Sequence, residues 1–271
     1  MKRVMLSVAY DGTNYCGWQV QPNEITVQQV LNDALSALTG EEIHTIGASR
    51  TDAGVHARGN VAVFDTNARM LGDKYSYALN TRLPEDIRIQ GSREVPGTFH
   101  PRFTSTIKTY EYNILNRRFP DPTRRLNSYF CYVPLDTERM NQAARYLIGT
   151  HDFRSFRASG ETNPDRSTVR TIYSAEVSRS DDVLKFRICG NGFLYNMVRI
   201  LAGTLIEIGR GRVAPDKMPD ILAAGDRSSA GPTAPAHGLT LMEIRYPEWE
   251  PDFTARRSAD CEMPGVTRSA G

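Results

Sequence analysis

Thr26-Val27-Gln28-Gln29-Val30-Leu31-Asn32-Asp33-Ala34-Leu35-Ser36-Ala37-Leu38-Thr39-Gly40 orients the reading of this chain. Val27, Val30, Leu31, Ala34, Leu35 and Leu38 recur at i, i+3, i+4 and i+7, which predicts a helix with one apolar face. Thr26 stands where an N-cap is needed, with Gln29 three residues on to complete a capping box, and Gly40 where a left-handed C-cap belongs. Outward from this helix, Val4–Tyr10 reads as a strand closed by the turn dipeptide Asp11-Gly12. Residues 43–48 and 60–66 read as two further strands, followed by a short helix near 73–80 and a strand at 87–95. The order βαββαβ is the split βαβ arrangement.

The pattern restarts near residue 106. Residues 107–115 alternate as a strand, with Tyr110, Tyr112 and Ile114 on one face, and 129–133 can pair with it. Asp136 caps a helix carrying Met140, Ala143, Ala144 and Leu147, which Gly149 is expected to end. Strands at 169–178 and 183–189, a helix from 196 to 208, a shorter one after Pro215 and a strand at 239–246 complete the half. The expectation is an α+β protein of two ferredoxin-like units, 1–100 and 101–248, joined near 96–106, whose antiparallel or mixed sheets meet around a central cleft. The polar segment 249–271 has little core-forming capacity and is expected to be a disordered tail.

The chain has 271 residues, 40% of them hydrophobic and 24% charged, with a net charge of only +2. Global charge therefore does not announce a nucleic-acid binder, and any such role rests on local clustering. Cys16, Cys131, Cys189 and Cys261 are scattered without a CxxC pair or a nearby His, so free thiols in a reducing compartment are expected rather than zinc ligands or disulfides. The N-terminus enters a strand pattern at once and no run is long enough to span a bilayer, which points to the cytoplasm.

Between two apolar runs lies Gly47-Ala48-Ser49-Arg50-Thr51-Asp52-Ala53-Gly54-Val55-His56-Ala57-Arg58-Gly59-Asn60. It holds one carboxylate, Asp52, with Arg50 and Arg58 on either side, and small residues that permit close approach of a ligand. An Asp two residues before Gly is also an ordinary turn cap. Yet Arg50 is not explained by such a turn, and His56 and Arg58 follow in what reads as surface loop. No second acid completes a glycosidase-type pair, so a lone ionised Asp52 suits a nucleophile or the electrostatic partner of a cationic transition state. Residues 99–125 interleave aromatic and basic side chains, including Arg102, Lys108, Tyr110, Arg124 and Arg125. A tyrosine face stacks on an unpaired base for ~1–3 kcal/mol while cations neutralise phosphates. Spacing does not choose between Tyr110 and Tyr112, although a merely amphipathic strand accounts for Tyr112. Arg199 lies one turn into an apolar helix after Gly190-Asn191-Gly192, where burial requires an anionic partner, and Asp52 is a candidate.

With these residues in hand, the chain resembles the TruA family of tRNA pseudouridine synthases over residues 1–247. The resemblance rests on five blocks in order: 47–57, Lys108-Thr-Tyr-Glu-Tyr112, Gly149-Thr-His-Asp-Phe153, Gly192-Phe-Leu-Tyr-Asn-Met-Val-Arg199 and Gly231-Pro-Thr-Ala-Pro235. It implies Asp52 as nucleophile, Arg50 opening the stem and holding the displaced nucleotide, Tyr110 stacking on the target base and Arg199 pairing with Asp52. Arg58 and His56 join them as substrate-binding candidates. It also implies a homodimer that isomerises uridines 38, 39 and 40 in the tRNA anticodon stem-loop with no cofactor or metal, the RNA lying in the central cleft. Pro101 departs from the Ala usual in the family. Two other classes share some of these features: a non-catalytic tRNA-binding or chaperone protein, which has no need for Asp52 beside Arg50, and a glycoside or N-ribosyl hydrolase, which wants a second carboxylate.

Overall fold

The helix signals at 26–40 are realised in the computed structural model, which describes residues 1–159 and 167–247. Helix α1 (Val27–Thr39) is N-capped by Thr26, whose hydroxyl accepts from the Gln29 amide at 3.3 Å, and ends on Gly40 at φ 73°. The capping box is only half formed: the Gln29 side chain turns to Asp33 (2.7 Å) instead of back to Thr26. Val27, Leu31 and Leu35 are buried, and Val30, Ala34 and Leu38 pack beside them, as the stripe requires.

Around α1 the first half runs β1 (Lys2–Tyr10), β2 (Ile46–Gly47), β3 (His56–Thr66), α2 (Tyr75–Asn80) and β4 (Ile87–Val95). The second half runs β5 (Ile107–Asn116), β6 (Tyr129–Cys131), α3 (Thr137–Arg145), β7 (Gly149–Asp152), β8 (Val169–Ser180), β9 (Val183–Gly190), α4 (Met197–Gly209), α5 (Met218–Ala224) and β10 (Leu239–Arg245). Among the described residues, all ten strands belong to one mixed sheet in the order β4-β1-β3-β10-β5-β9-β8-β7, with β2 attached to β3 and β6 to β5. The joint between the halves is β10. It comes from the end of the chain, runs antiparallel to β5 and parallel to β3, and pairs Thr240 with His56 and Leu241 with Ala57. The architecture is thus α+β with one large mixed sheet and, among the described residues, five α-helices.

Three local expectations are corrected. The strand expected at 43–48 shrinks to β2, because residues before it bond to α1: Ile43 donates to Ser36 Oγ, and Thr45 bonds Asn32 and Gln28. Helix α3 stops at Arg145, and Gly149, at φ 111°, opens β7 rather than capping the helix. His56 and Arg58 lie in β3, not in a surface loop, because β1 pairs Tyr10 with Ala57 on one side and β10 supplies a distant partner on the other, neither visible in the local sequence. Cys16 and Cys131 are free, but Cys189 is disulfide-bonded, against the expectation of a free thiol; wide spacing carries no pairing signal. The segment 249–271 lies outside the described residues. Among those described, no helix is long and apolar enough to cross a membrane.

Helix α4 is buried around nearly its whole circumference, from Met197 to Gly209. Each fully buried Leu or Ile on it contributes about 1.5–3 kcal/mol of transfer free energy. One segment, 231–235, crosses it at very close range: a Cβ on Gly203 would stand 1.8 Å from the Pro232 carbonyl oxygen. That approach fixes where the first turn of α4, and Arg199 on it, can lie.

Candidate active site

The segment 48–55 between β2 and β3 is held from beneath by buried polar groups. Asn60, fully buried on β3, donates from Nδ2 to the Ser49 carbonyl (3.0 Å) and accepts the Ser49 amide on Oδ1 (3.3 Å). Tyr10 at the end of β1 bonds Thr51 Oγ1 at 2.7 Å, and the Trp18 amide donates to the Thr51 carbonyl at 3.1 Å. Gly17, at φ 83°, lets its backbone pass under the same carbonyl, where a Cβ would stand 2.6 Å from the oxygen. The Val55 amide closes a turn onto the Asp52 carbonyl (3.1 Å), with Gly54 at φ 76°. A loop with this many fixed backbone groups presents its one carboxylate from a rigid frame.

That carboxylate meets a cation from the other half of the chain. Arg199 Nη1 donates to Asp52 Oδ2 at 3.2 Å, with the two side chains only 18% and 24% exposed. The guanidinium has two further acceptors, since Nη1 also reaches Asn196 Oδ1 (2.8 Å) and Nε the Ala234 carbonyl (2.8 Å). Asp52 Oδ1 accepts no hydrogen bond among the described residues and stays available. Burial pushes the Asp52 carboxyl above its ordinary pKa, and the charge and hydrogen bond of Arg199 pull it back only in part. Pairing with arginine does not lower this acid overall, because the loss of hydration outweighs one long contact.

Tyr110 on β5 extends under the loop. Its hydroxyl lies 2.9 Å from Ser49 Oγ and its ring meets Phe193 edge-on, with centroids 5.1 Å apart. Burial raises its pKa to about 12, with the Asp52 charge adding to the rise and Ser49 opposing it, so the phenol is protonated at neutral pH. Tyr112, two residues on, is fully buried and donates to the Pro235 carbonyl at 2.8 Å. The choice that spacing left open is made by their partners: one phenol faces the Asp52 loop, the other locks the 235–238 turn.

The remaining site candidates separate. Arg50 is exposed and makes no hydrogen bond or ion pair among the described residues. His56 is buried: Nδ1 accepts the Gly12 amide (3.1 Å) beside Asp11 Oδ1 (3.0 Å), and Nε2 reaches the His237 carbonyl (3.2 Å), which leaves its ring nitrogens occupied. Arg58 lines a cavity of about 740 Å³ together with Glu111, Asn113 and Lys185. Glu111 and Asn113 alternate with Tyr110 and Tyr112 along β5, so Arg58 belongs to the opposite sheet face from Asp52. Arg102 and Lys108 are tied to the loop as braces, donating to the Gly47 (2.8 Å) and Ala48 (3.0 Å) carbonyls.

Comparison with known proteins places the chain in a family. The family model described as tRNA pseudouridine synthase matches residues 6–104 and 143–247. The chain belongs to the tRNA pseudouridine synthase family. It is 49% identical over 246 residues to the tRNA pseudouridine synthase A of Thermoanaerobacter sp. (strain X514), covering 91% of this chain and all of that protein. It is 50% identical over 246 residues to the protein of the same name from Acetivibrio thermocellus, with the same coverage. It is 47% identical over 247 residues to the tRNA pseudouridine synthase A 2 of Clostridium tetani, covering 90% of this chain and 99% of that one. Both matched segments of the synthase family carry half of the site described above: Asp52 in the first, Arg199 in the second.

Sequence reasoning passed over Asn60, Ser49, Thr51 and Asn196, which orient the loop and the arginine. Asn60 could have been noticed as the one amide opening the apolar run Val61-Ala62-Val63-Phe64, and Asn196 as the polar residue at a helix entry.

Proposed function

We propose that this chain isomerises uridine to pseudouridine in tRNA, with Asp52 as the nucleophilic carboxylate. The observation that carries the reading is the Asp52–Arg199 contact at 3.2 Å, which joins the two matched segments around a carboxylate with one oxygen free. Isomerisation breaks N1–C1′, turns the uracil and joins C5 to C1′; the C5 proton leaves and N1 regains one. Attack at C1′, removal of the 2′-proton and addition at C6 each need an ionised carboxylate with a free oxygen, and Arg199 opposes the protonation that burial favours. Tyr110 covers one face of the extruded base, whose removal from the stack costs a few kcal/mol. Arg50, exposed and without a partner among the described residues, holds the displaced nucleotide or its phosphate. The roles given to Arg58 and His56 at the substrate are weaker, since one lies on the other sheet face and the other is occupied.

In the same reading the substrate region is the anticodon stem-loop at positions 38, 39 and 40, the enzyme is a cytoplasmic homodimer, and no cofactor takes part. Residues 1–100 and 101–248 are two ferredoxin-like units on the shared sheet, with the RNA in the cleft between them. A non-catalytic tRNA binder would not require a carboxylate desolvated against an arginine from the other half. The test is tritium release from [5-³H]uridine-labelled tRNA by wild type and Asp52→Ala. Release by wild type and none by the variant is expected. Equal release by both refutes the nucleophile, and no release by wild type from any tRNA refutes the activity.

A further inference from the structure

Asn196 breaks two rules at once. It is a non-glycine residue in the left-handed region, at φ 57° and ψ 8°, whereas a helix N-cap ordinarily has an extended backbone. It also stands at the N-cap of α4 without capping it, for its side chain accepts no amide of that helix. Asn tolerates this backbone region better than other residues with a side chain, which leaves its amide free to serve a partner other than the helix. Oδ1 accepts from Arg199 Nη1 at 2.8 Å, and the same Nη1 donates to Asp52 at 3.2 Å. From the other side the Ala234 carbonyl accepts Arg199 Nε at 2.8 Å, while the Ala234 amide donates to the Arg199 carbonyl at 3.0 Å. A guanidinium is planar, so two fixed acceptors on different edges define its plane.

We infer that Asn196 is a positioning residue: its carbonyl oxygen aims Arg199 at Asp52 Oδ2 and so leaves Asp52 Oδ1 turned toward the substrate. The shorter of the two Nη1 contacts is the one to Asn196, so the arginine is held by the second half and the carboxylate comes to it. Without Asn196 the guanidinium keeps the Ala234 bond and can swing about Nε, and Asp52 loses the charge that opposes its protonation. Tyr110 interacts electrostatically with Asp52 from β5, and Tyr112 and His237 with Arg199. Both phenols are protonated near neutral pH, and burial holds the His237 pKa below its ordinary value, so Arg199 is the charge that opposes the burial-driven protonation of Asp52 there.

The inference rests on the synthase reading, and its test separates the two. Asn196→Gly keeps the left-handed backbone without strain and removes only the acceptor. Tritium release from labelled tRNA is measured against pH for wild type, Asn196→Gly, Arg199→Lys and the double variant, with melting temperature recorded for each. Expected are a kcat lowered roughly tenfold, the scale of one charge-assisted hydrogen bond, an unchanged KM, and an acid limb of kcat moved to higher pH. Loss of the acceptor should add no further decrease on top of Arg199→Lys, because both act on the same contact. Melting temperature should hold or rise. Wild-type kcat and pH profile in Asn196→Gly, or decreases that multiply in the double variant, overturn the positioning role. A wild type that releases no tritium overturns the synthase reading instead.

Discussion

Replacing Asn60 by Ala tests whether the loop carrying Asp52 is rigid because of what lies beneath it. Asn60 is fully buried and bonds both backbone groups of Ser49, which is itself only 6% exposed. Alanine leaves that amide and carbonyl without partners in the interior, at roughly 1–3 kcal/mol each. The second Nδ2 contact, to the Tyr10 hydroxyl at 3.4 Å, is too long to add much. The sum is roughly 2–6 kcal/mol, or a melting temperature lower by about 4–24 °C for a chain of this size. Thermal unfolding followed by circular dichroism reads the first quantity, and tritium release at a temperature where both proteins are folded reads the second. Activity should fall with kcat rather than KM, because the loop that aims Asp52 loosens while the exposed Arg50 is untouched. A variant that melts within about 2 °C of wild type and turns over normally would refute the claim that Asn60 fixes the loop.

Further outcomes follow from the same geometry. Asp52→Asn should abolish isomerisation yet stabilise the protein at neutral pH. The folded-state pKa of Asp52 is raised, so its favourable contribution is full below about pH 4 and is lost as pH rises through the folded value. Urea midpoints at pH 7 and pH 4 should therefore converge at the lower pH, and a wild type more stable than the variant at pH 7 would contradict dominant desolvation. Gly17→Ala places a Cβ 2.6 Å from the Thr51 carbonyl in a left-handed residue, which costs at least ~1–2 kcal/mol from the backbone alone; an unchanged melting curve would argue against the close approach. Tyr110→Phe keeps the ring and loses the Ser49 contact, so stability should drop by about 1 kcal/mol with tRNA affinity nearly unchanged, whereas Tyr110→Ala should weaken binding. Gel shifts showing equal affinity for both variants would remove the stacking role.

Most of the local elements were legible because their signals are local. Thr26 and Gly40 end α1, Asp136 accepts the Arg139 amide at 3.0 Å to start α3, and alternation marks β5, β8 and β9. Errors arose where a distant partner intervened. Strand 43–48 lost most of its length to side chains on α1, and 56–59 became strand because the end of β1 pairs there on one side and β10 on the other. The site divides in the same way. Asp52, Arg50, Tyr110 and Arg199 could be named from residue type and neighbourhood, and Asp52 could be offered as the partner of Arg199, which it meets at 3.2 Å; the burial that raises the acid's pKa could not be read.

The sequence alone determined the α+β class, the turn that carries a single acid, and an arginine in an apolar helix that needs an anion. These are consequences of periodicity, glycine placement and the cost of burying charge, all readable within a few residues. Tertiary structure alone decided that β10 bridges the halves, how closely Arg199 approaches Asp52, and that burial outweighs the arginine in setting the acid's pKa. The reason is the same in each case. Asp52 and Arg199 are 147 positions apart, and both distance and desolvation depend on how the chain is packed between them.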